Sequence, residues 1–221
     1  MGHKSNESAG VREKSNKMMA IVDYGLGNIW AFANIYKNLN IPFQIITNAD
    51  DLKHATKIIL PGVGAFDHAM NQLENSGMRE TLDELVLNQK IPILGVCIGM
   101  HMLAHSSEEG SLPGLGWING AVKKFDSSAL VQKTHLPHMG WNDVTPSKNS
   151  KIFLKLENKA VFYFLHSFYF SCSNEEDVIA GTDYGIKFAC AVNSENVFGI
   201  QFHPEKSHKY GIQLLENFAN L

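Results

Sequence analysis

The amino-acid sequence predicts an α/β domain with a mostly parallel central sheet, helices flanking the sheet, and an antiparallel extension. Two patterns support this fold class. In the first half, short apolar runs alternate with segments of helical periodicity, as strands joined by crossover helices do. In the second half, short runs rich in β-branched and aromatic residues are broken by Gly and Asn, which is typical of antiparallel hairpins.

The first half contains four predicted strands and three predicted helices. The strands cover residues 18–24, 42–48, 57–64 and 91–97, and the helices cover 29–39, 66–89 and 98–106. Apolar residues recur at helical spacing through the second of these helices, and we expect it to break at Gly77. The strand–helix alternation predicts that these strands run parallel to one another.

The second half is predicted to be mainly β-structure, closed by a helix. The strand-forming runs cover residues 121–125, 159–170, 177–185 and 188–204, and the helix covers 209–220. A hairpin turn is expected at SENV, residues 194–197.

No repeat or linker interrupts the sequence, so residues 18–221 are predicted to form one domain. Residues 1–17 are polar and lack the apolar core of a secretory signal, and we expect a disordered extension there.

The composition argues against several classes of protein. A net charge of −3 argues against a nucleic-acid binder, and no apolar run approaches the roughly 18–20 residues that cross a bilayer. The three cysteines, Cys97, Cys172 and Cys190, form no CxxC pair, so neither a zinc site nor a disulfide framework is indicated. This pattern fits a reducing compartment, and we expect a cytoplasmic protein.

Cys97 lies in GVCIG, residues 95–99, between an apolar strand and a predicted helix. The spacing is that of a nucleophile elbow, in which small flanking residues permit a sharp turn that exposes the nucleophile. A helix N-terminus favours the thiolate form, and the N–H of Ile98 would point toward a developing oxyanion. The segment alone is equally consistent with a buried cysteine between glycines that serve packing.

A thiol nucleophile requires a base and a group that orients the base. In GIQFHPEKS, residues 199–207, His203 ends an apolar run, Pro204 stiffens the loop, and Glu205 follows. His203 is therefore the candidate base, and Glu205 is the candidate acid that holds its tautomer. Taken alone, His203 could instead be a polar residue at the surface end of a strand.

A Gly-rich turn, LPGVGAF at residues 60–66, follows the third predicted strand. Successive backbone N–H groups in such a turn form a concave anion site. Phosphate binding is the competing interpretation, but the turn has neither the GxxxxGK[ST] nor the GxGxxG pattern. We therefore expect the amide of Val63 to work with that of Ile98 as an oxyanion hole.

Five motifs in this order, PGVG, GVCIGM, PHMGWN, FLHSFYF and GIQFHPEKS, resemble those of the class I (triad-type) glutamine amidotransferases. The family has a flavodoxin-like fold, and the resemblance covers residues 18–221. A cysteine followed near the chain end by H-P-E is specific to the family. PHMGWN (137–142), together with IVDYGLGN (21–28), is specific to the branch that acts in histidine biosynthesis.

The resemblance implies hydrolysis of L-glutamine to L-glutamate and ammonia, without a metal or organic cofactor. Cys97 would form a γ-glutamyl thioester, His203 would shuttle the proton, and Glu205 would orient His203. The amides of Val63 and Ile98 would stabilise the tetrahedral oxyanion.

The resemblance also implies a set of substrate-binding residues. Glu109 would contact the α-amino group of glutamine, His166 and Ser167 would bind its main chain, and the turn would contribute Gly62 and Gly64. Judged without the resemblance, two adjacent glutamates are more typical of a solvated surface, and the aromatic run around His166 is more typical of a buried strand.

His101 departs from the family pattern. The family normally has a glutamine at this position, which helps to hold the substrate. We keep His101 in the substrate-binding set because an imidazole also forms hydrogen bonds, but its shape differs and it can titrate near neutral pH. The departure puts the affinity for glutamine, and its dependence on pH, in question.

Ammonia would be protonated in bulk water, so the implied chemistry needs a sealed route to an acceptor site. In the histidine branch the partner is a (βα)8-barrel cyclase, and the resemblance implies a heterodimer with it. Asn28, Trp141, Asn142 and Lys206 would lie near the interface.

Three alternatives stay open at this point. The chain could be a paralogue that supplies ammonia to a sugar amidotransferase in surface polysaccharide biosynthesis, or a non-catalytic scaffold for the barrel. A cysteine peptidase of similar architecture would share the elbow, but it would not be expected to carry H-P-E together with PHMGWN.

Overall fold

The structure, a computed structural model, describes residues 18–126, 135–147, 150–156 and 160–221. The disordered extension expected over residues 1–17 lies outside the described residues. The buried apolar side chains form one core, to which residues from Met19 to Phe218 contribute. Within the described ranges, no helix is both long enough and apolar enough to span a membrane.

Twelve strands are present in the described part of the chain. They are β1 (Met18–Val22), β2 (Phe43–Ile46), β3 (Ala55–Gly62), β4 (Ile93–Cys97), β5 (Ser106–Ser107), β6 (Gly120–Lys124), β7 (His138–Pro146), β8 (Ala160–His166), β9 (Phe168–Cys172), β10 (Val178–Asp183), β11 (Lys187–Ser194) and β12 (Val197–Ile200). The turn expected at residues 194–197 separates β11 from β12, as predicted. β5 and β7 were not predicted from the sequence.

The described residues also contain six α-helices. They are α1 (Ile29–Asn38), α2 (Ala49–Leu52), α3 (Phe66–Asn75), α4 (Arg79–Asp83), α5 (Ile98–Met102) and α6 (His208–Ala219), and a π-helical turn, Glu84–Asn88, continues α4. The helix expected over residues 66–89 is interrupted around Gly77, whose φ is +69°. α5 is shorter than expected, because the N–H of His105 bonds to the carbonyl of Gly120 and does not continue the helix.

The strands form a sheet in the order β2-β1-β3-β4-β12-β11-β10-β7-β8. Neighbours from β2 to β12 pair in parallel, and antiparallel pairing begins between β12 and β11. β9 pairs with β11 and β6, which extends the antiparallel part. α1 and α5 pack against the parallel strands. This architecture confirms the predicted fold class.

Three parallel strands, β3, β4 and β12, lie side by side and end at one edge of the sheet. Gly62 of β3 pairs with Cys97 of β4, and Val96 of β4 pairs with Ile200 of β12. Because the carboxyl ends of parallel strands meet at the same edge, the segments that follow them are brought together. These segments are the Gly-rich turn, the elbow and the loop that carries His203.

Two glycines allow α5 to approach both β3 and β4 closely. A Cβ atom on Gly99 would lie 2.0 Å from the carbonyl oxygen of Leu60, and one on Gly95 would lie 2.5 Å from the carbonyl oxygen of Gly99. Backbone atoms in a packed interior cannot move away cheaply, so these positions exclude a side chain. The glycines therefore serve packing as well as the sharp turn at Cys97.

We expect Gly99→Ala to lower the free energy of unfolding by about 1–3 kcal/mol, because the added methyl group overpacks against the Leu60 backbone. Gly181→Ala in β10 is the matched control, since its nearest contact, the carbonyl oxygen of Phe188, would be 3.6 Å away. Denaturant unfolding monitored by circular dichroism measures both variants. Equal losses of stability in the two variants would contradict the importance of the close approach.

Candidate active site

Cys97 ends β4 and precedes α5, at the turn that its motif predicted. Its backbone has φ 55° and ψ −109°, a conformation that residues other than glycine rarely adopt. Strained conformations of this kind at a strand-to-helix turn are a feature of nucleophile elbows. Cys97 is 4% exposed, and it lines a cleft at the edge of the sheet.

His203 and Glu205 lie in the loop that follows β12. The N–H of His203 donates to the carbonyl of Tyr163 over 2.8 Å, and the hydroxyl of Ser207 donates to the carbonyl of His203 over 2.6 Å. These two bonds fix the backbone of His203 to β8 and to the end of its own loop. His203 Nδ1 lies 3.0 Å from Glu205 Oε1, and the two side chains are 5% and 2% exposed.

The imidazole of His203 and the sulfur of Cys97 line the same cleft and interact electrostatically, so the structure brings together the three residues predicted to act as a triad. Burial lowers the pKa of His203, but the hydrogen bonds and charges of Cys97 and Glu205 outweigh burial and raise the pKa to about 10. Since Glu205 occupies Nδ1, Nε2 is the nitrogen left for the sulfur. His203 is therefore held as a proton donor beside Cys97.

A cleft of about 300 Å³ opens beside Cys97, which is within the range of small-molecule sites. Most of the predicted site residues line it, namely Val63, Gly64, Cys97, Ile98, His101, Glu109, His166, Ser167, His203 and Lys206. Gly62 is outside the lining because it packs against α5, and Glu205 is outside it because it lies behind His203. No group of three or more His, Cys, Asp or Glu residues in the described ranges is arranged to hold a metal ion.

The two adjacent glutamates have different environments. Glu108 is exposed and forms an ion pair with Lys123 over 2.9 Å. Glu109 lines the cleft, where its Oε2 accepts a hydrogen bond from the N–H of Phe66 over 3.1 Å. Burial raises the pKa of Glu109, the bond from Phe66 opposes that effect, and the charge of Asp67 adds to it. The solvated-surface interpretation therefore fits Glu108 and not Glu109.

His166 belongs to a chain of hydrogen bonds that runs from the cleft to β7. Its Nδ1 bonds to the carbonyl of Phe168 over 2.7 Å and must therefore carry a proton. Its Nε2 then accepts from His138 Nδ1 over 2.9 Å, and His138 Nε2 accepts from the Asn142 amide over 3.3 Å. Burial lowers the pKa of His138 to about 4 and that of His166 well below its ordinary value. Both rings are therefore neutral, with defined tautomers.

His101 lines the cleft, but its hydrogen bond points away from the cleft. Its Nε2 lies 2.7 Å from Gln201 Oε1, and Gln201 Nε2 lies 3.9 Å from Cys97 Sγ. Burial lowers the pKa of His101 to about 4, although the bond to Gln201 partly opposes that effect. The expectation that this imidazole can titrate near neutral pH is therefore wrong, because a ring that is 1% exposed and has a neutral amide as its hydrogen-bond partner stays neutral there.

Two residues predicted at the partner interface, Trp141 and Lys206, share one exposed face. Trp141 is 50% exposed and stacks on His208, with ring centroids 5.3 Å apart. Tyr163 joins the two, because its ring centroid lies 6.0 Å from that of Trp141 and 5.7 Å from Lys206 Nζ. Asn28 is exposed at the start of α1. Asn142 belongs to the hydrogen-bond chain described above.

Three residues of the site were not predicted from the sequence, namely Gln201, His138 and Tyr163. Gln201 left a readable signal, because it stands two residues before His203 in an apolar run, and extended residues two apart face the same side. His138 is part of the motif PHMGWN, but its contact with His166 depends on the pairing of β7 with β8. Tyr163 contributes a backbone carbonyl, which no side-chain pattern reveals.

Comparisons with known proteins cover nearly the whole chain. A family model described as "Glutamine amidotransferase class-I" matches residues 20–220. Similar relatives include the imidazole glycerol phosphate synthase subunits HisH of Bdellovibrio bacteriovorus and Leptospira interrogans, which are 57% and 54% identical over 92% of this chain and 100% of their own lengths. A chain in the solved structure of PurLQS from Thermotoga maritima has a TM-score of 0.68 at 18% identity. The match covers 92% of this chain and 98% of that chain, and it shows the same fold.

The buried histidines predict how stability depends on pH. Below pH 6.5 the unfolded chain protonates His101, His138 and His166, whereas the folded chain does not until about pH 4 for the first two. Stability should therefore fall as the pH drops from about 6.5 to 4, by up to about 1.4 kcal/mol per pH unit for each histidine. His203, with a folded pKa of about 10, acts in the opposite sense, so stability should also fall as the pH rises from 6.5 to about 10.

Urea unfolding at a series of pH values measures this profile. His101→Gln should weaken the dependence on the acid side, and His54→Gln, which changes an exposed histidine, should leave it as it is. If the loss of stability between pH 6.5 and 4 were the same in His101→Gln as in the unmodified protein, the His101 ring would not stay neutral in the folded state.

Proposed function

This chain belongs to the class-I glutamine amidotransferase family, and from that premise we propose that it is the glutaminase subunit of an imidazole glycerol phosphate synthase in L-histidine biosynthesis. It hydrolyses L-glutamine and passes the ammonia to a synthase partner. One observation carries the catalytic part of the proposal, namely a buried cysteine at a strained turn, in the same cleft as a histidine that a buried glutamate orients. The relatives at 57% and 54% identity support the choice of synthase.

The first step transfers the γ-glutamyl group from nitrogen to sulfur. With the proton on His203, Cys97 attacks the side-chain carbonyl carbon of glutamine as a thiolate. The amides of Val63 and Ile98 stabilise the oxyanion that forms. His203 Nε2 then donates its proton to the departing nitrogen, which leaves as ammonia, and a thioester remains on Cys97.

The second step hydrolyses the thioester. Neutral His203 accepts a proton from water as the water oxygen attacks the thioester carbonyl, and the Cys97 thiolate leaves. The product leaves as the carboxylic acid and loses its proton to the solvent to become glutamate, and the thiolate with protonated His203 is restored. Glu205 keeps the Nδ1 proton in place throughout, so that Nε2 always faces the reacting atoms.

Three residues of the cleft are proposed to orient glutamine. The partly buried carboxylate of Glu109 suits the α-ammonium group, because opposite charges attract strongly away from water. Both ring nitrogens of His166 are already engaged by protein groups. We therefore assign substrate binding at this position to the backbone of His166 and to Ser167, which would receive the α-carboxylate.

The proposed partner is a (βα)8-barrel cyclase that docks over the cleft in the cytoplasm. Several large apolar residues on this side are exposed, and exposed apolar patches mark protein interfaces; they are Val63, Met139, Trp141 and Leu165. Met139 pairs with Leu165 across β7 and β8, so two of these side chains are adjacent. A barrel seated on this face would form a heterodimer and would enclose the ammonia that leaves the cleft.

We expect Cys97→Ala, purified as a complex with the barrel subunit, to lose glutamine-dependent synthesis of imidazole glycerol phosphate by at least about 1,000-fold. The same complex should still use added ammonium salt, because the acceptor site is on the partner. Cys172→Ser, which changes a cysteine of β9, is the matched control and should use both nitrogen sources. Synthesis and ammonia release are measured separately, with and without the partner.

Undiminished release of ammonia from glutamine by the Cys97→Ala complex would refute the catalytic role. Glutaminase activity that requires Cys97, without stimulation by the barrel and without synthesis, would refute the proposed partner alone.

A further inference from the structure

Two buried polar side chains that the mechanism above does not use connect to the sulfur of Cys97 on the side away from the solvent. His101 Nε2 lies 2.7 Å from Gln201 Oε1, and Gln201 Nε2 lies 3.9 Å from Cys97 Sγ. We propose that Gln201 donates a hydrogen bond that stabilises the Cys97 thiolate, and that His101 is the positioning residue that turns the Gln201 amide toward the sulfur. This inference rests on Cys97 being the nucleophile.

The donors and acceptors of His101 and Gln201 allow one consistent hydrogen-bonding arrangement. The Gln201 oxygen only accepts, so the His101 nitrogen that faces it, Nε2, must carry the proton. The imidazole is neutral, so Nδ1 is then a bare acceptor, and Nδ1 has no hydrogen-bond partner among the described residues. The other tautomer would leave a buried N–H group unpaired, which proteins tolerate less well than an unpaired acceptor.

The His101 proton therefore selects the orientation of the Gln201 amide. With the oxygen of the amide bound to His101, its NH₂ group faces Cys97. If the amide were turned around, its oxygen would face the sulfur and repel the thiolate. A hydrogen bond to an ionised acceptor is also stronger than one to a neutral acceptor, so the assigned orientation favours the charged form of Cys97.

Burial makes this hydrogen bond effective. Gln201 is 0% exposed and Cys97 is 4% exposed, so water does not replace the amide as a donor. The backbone also holds Gln201, whose N–H donates to the carbonyl of Cys190 over 2.9 Å. Gln201 and His203 reach the sulfur from the same strand end, two residues apart.

This arrangement gives His101 a role other than the substrate contact expected from the family pattern. The nitrogen that could act as a donor is committed to Gln201, and the remaining nitrogen is closed off from solvent. The other titratable groups near Cys97 are Tyr24 after β1, His203 with Glu205 after β12, and His166 at the end of β8. None of them contributes the amide that faces the sulfur.

The rate at which iodoacetamide alkylates Cys97 tests the proposal, because only the thiolate reacts. The whole chain is sampled across a range of pH, and peptide mass spectrometry resolves each cysteine. Gln201→Leu should shift the Cys97 profile upward by about one pH unit, because a donor to the thiolate is lost. Gln201→Glu, which places a carboxylate near the sulfur, should shift it further.

His101 is tested with a pair of substitutions. His101→Leu should shift the Cys97 profile in the same direction as Gln201→Leu, because the amide is no longer held. His101→Gln should restore the profile of the unmodified chain, since its carboxamide can donate to Gln201 Oε1. Cys172, measured in the same digests, is the internal control and should keep its profile in every variant.

An unchanged Cys97 profile in a folded Gln201→Leu variant would overturn the role of Gln201. Equal profiles for His101→Leu and His101→Gln would overturn the role of His101. If Gln201→Leu does not fold, this pair of variants tests the proposal in its place. Alkylation does not depend on glutamine turnover. If the substitutions shift the Cys97 profile but the unmodified protein has no glutaminase activity, this inference holds and the proposed function fails. If the protein has glutaminase activity but the substitutions leave the Cys97 profile unshifted, the proposed function holds and this inference fails.

Discussion

The catalytic groups of this site depend on the meeting of three parallel strand ends at one edge of the sheet. β3 delivers the Gly-rich turn, β4 delivers Cys97, and β12 delivers the loop with His203, through backbone pairing in a fixed register. The close approach of Gly99 to the Leu60 carbonyl locks α5 against β3 and holds the strained turn. The proposed nucleophile, Cys97, is therefore positioned by the sheet, and not by the flexibility of its own side chain.

The hydrogen-bond partners of the buried histidines, and not burial itself, determine which ring is protonated and which rings stay neutral. His101, His138 and His166 hydrogen-bond to neutral amide, carbonyl or imidazole groups, so desolvation dominates and their pKa values fall. His203 is also buried, but it alone among the four lies between a carboxylate and a sulfur that can ionise, and its pKa rises. This difference supports the proposed role of His203 in proton transfer, while the other three imidazoles act as fixed hydrogen-bonding groups.

The sequence predicted the parallel core and the triad because both leave local signals. Apolar runs of strand length mark β1, β3 and β4, and the spacing around Cys97 and His203 is legible in a few adjacent residues. β7 left no such signal, because exposed and partly buried residues follow one another through most of its length and Gly140 interrupts it. The bond between His101 and Gln201 joins residues 100 positions apart, so only the folded chain reveals that the imidazole faces inward.

Labelling with a glutamine-derived diazo-ketone in the presence of the proposed barrel partner tests the central claim most directly, since the reagent must both occupy the glutamine cleft and meet a reactive sulfur. We predict covalent modification of Cys97, mapped by peptide mass spectrometry, with protection by excess L-glutamine and loss of labelling in His203→Asn. Modification confined to Cys172 or Cys190, or labelling of Cys97 that glutamine does not slow, would contradict the claim.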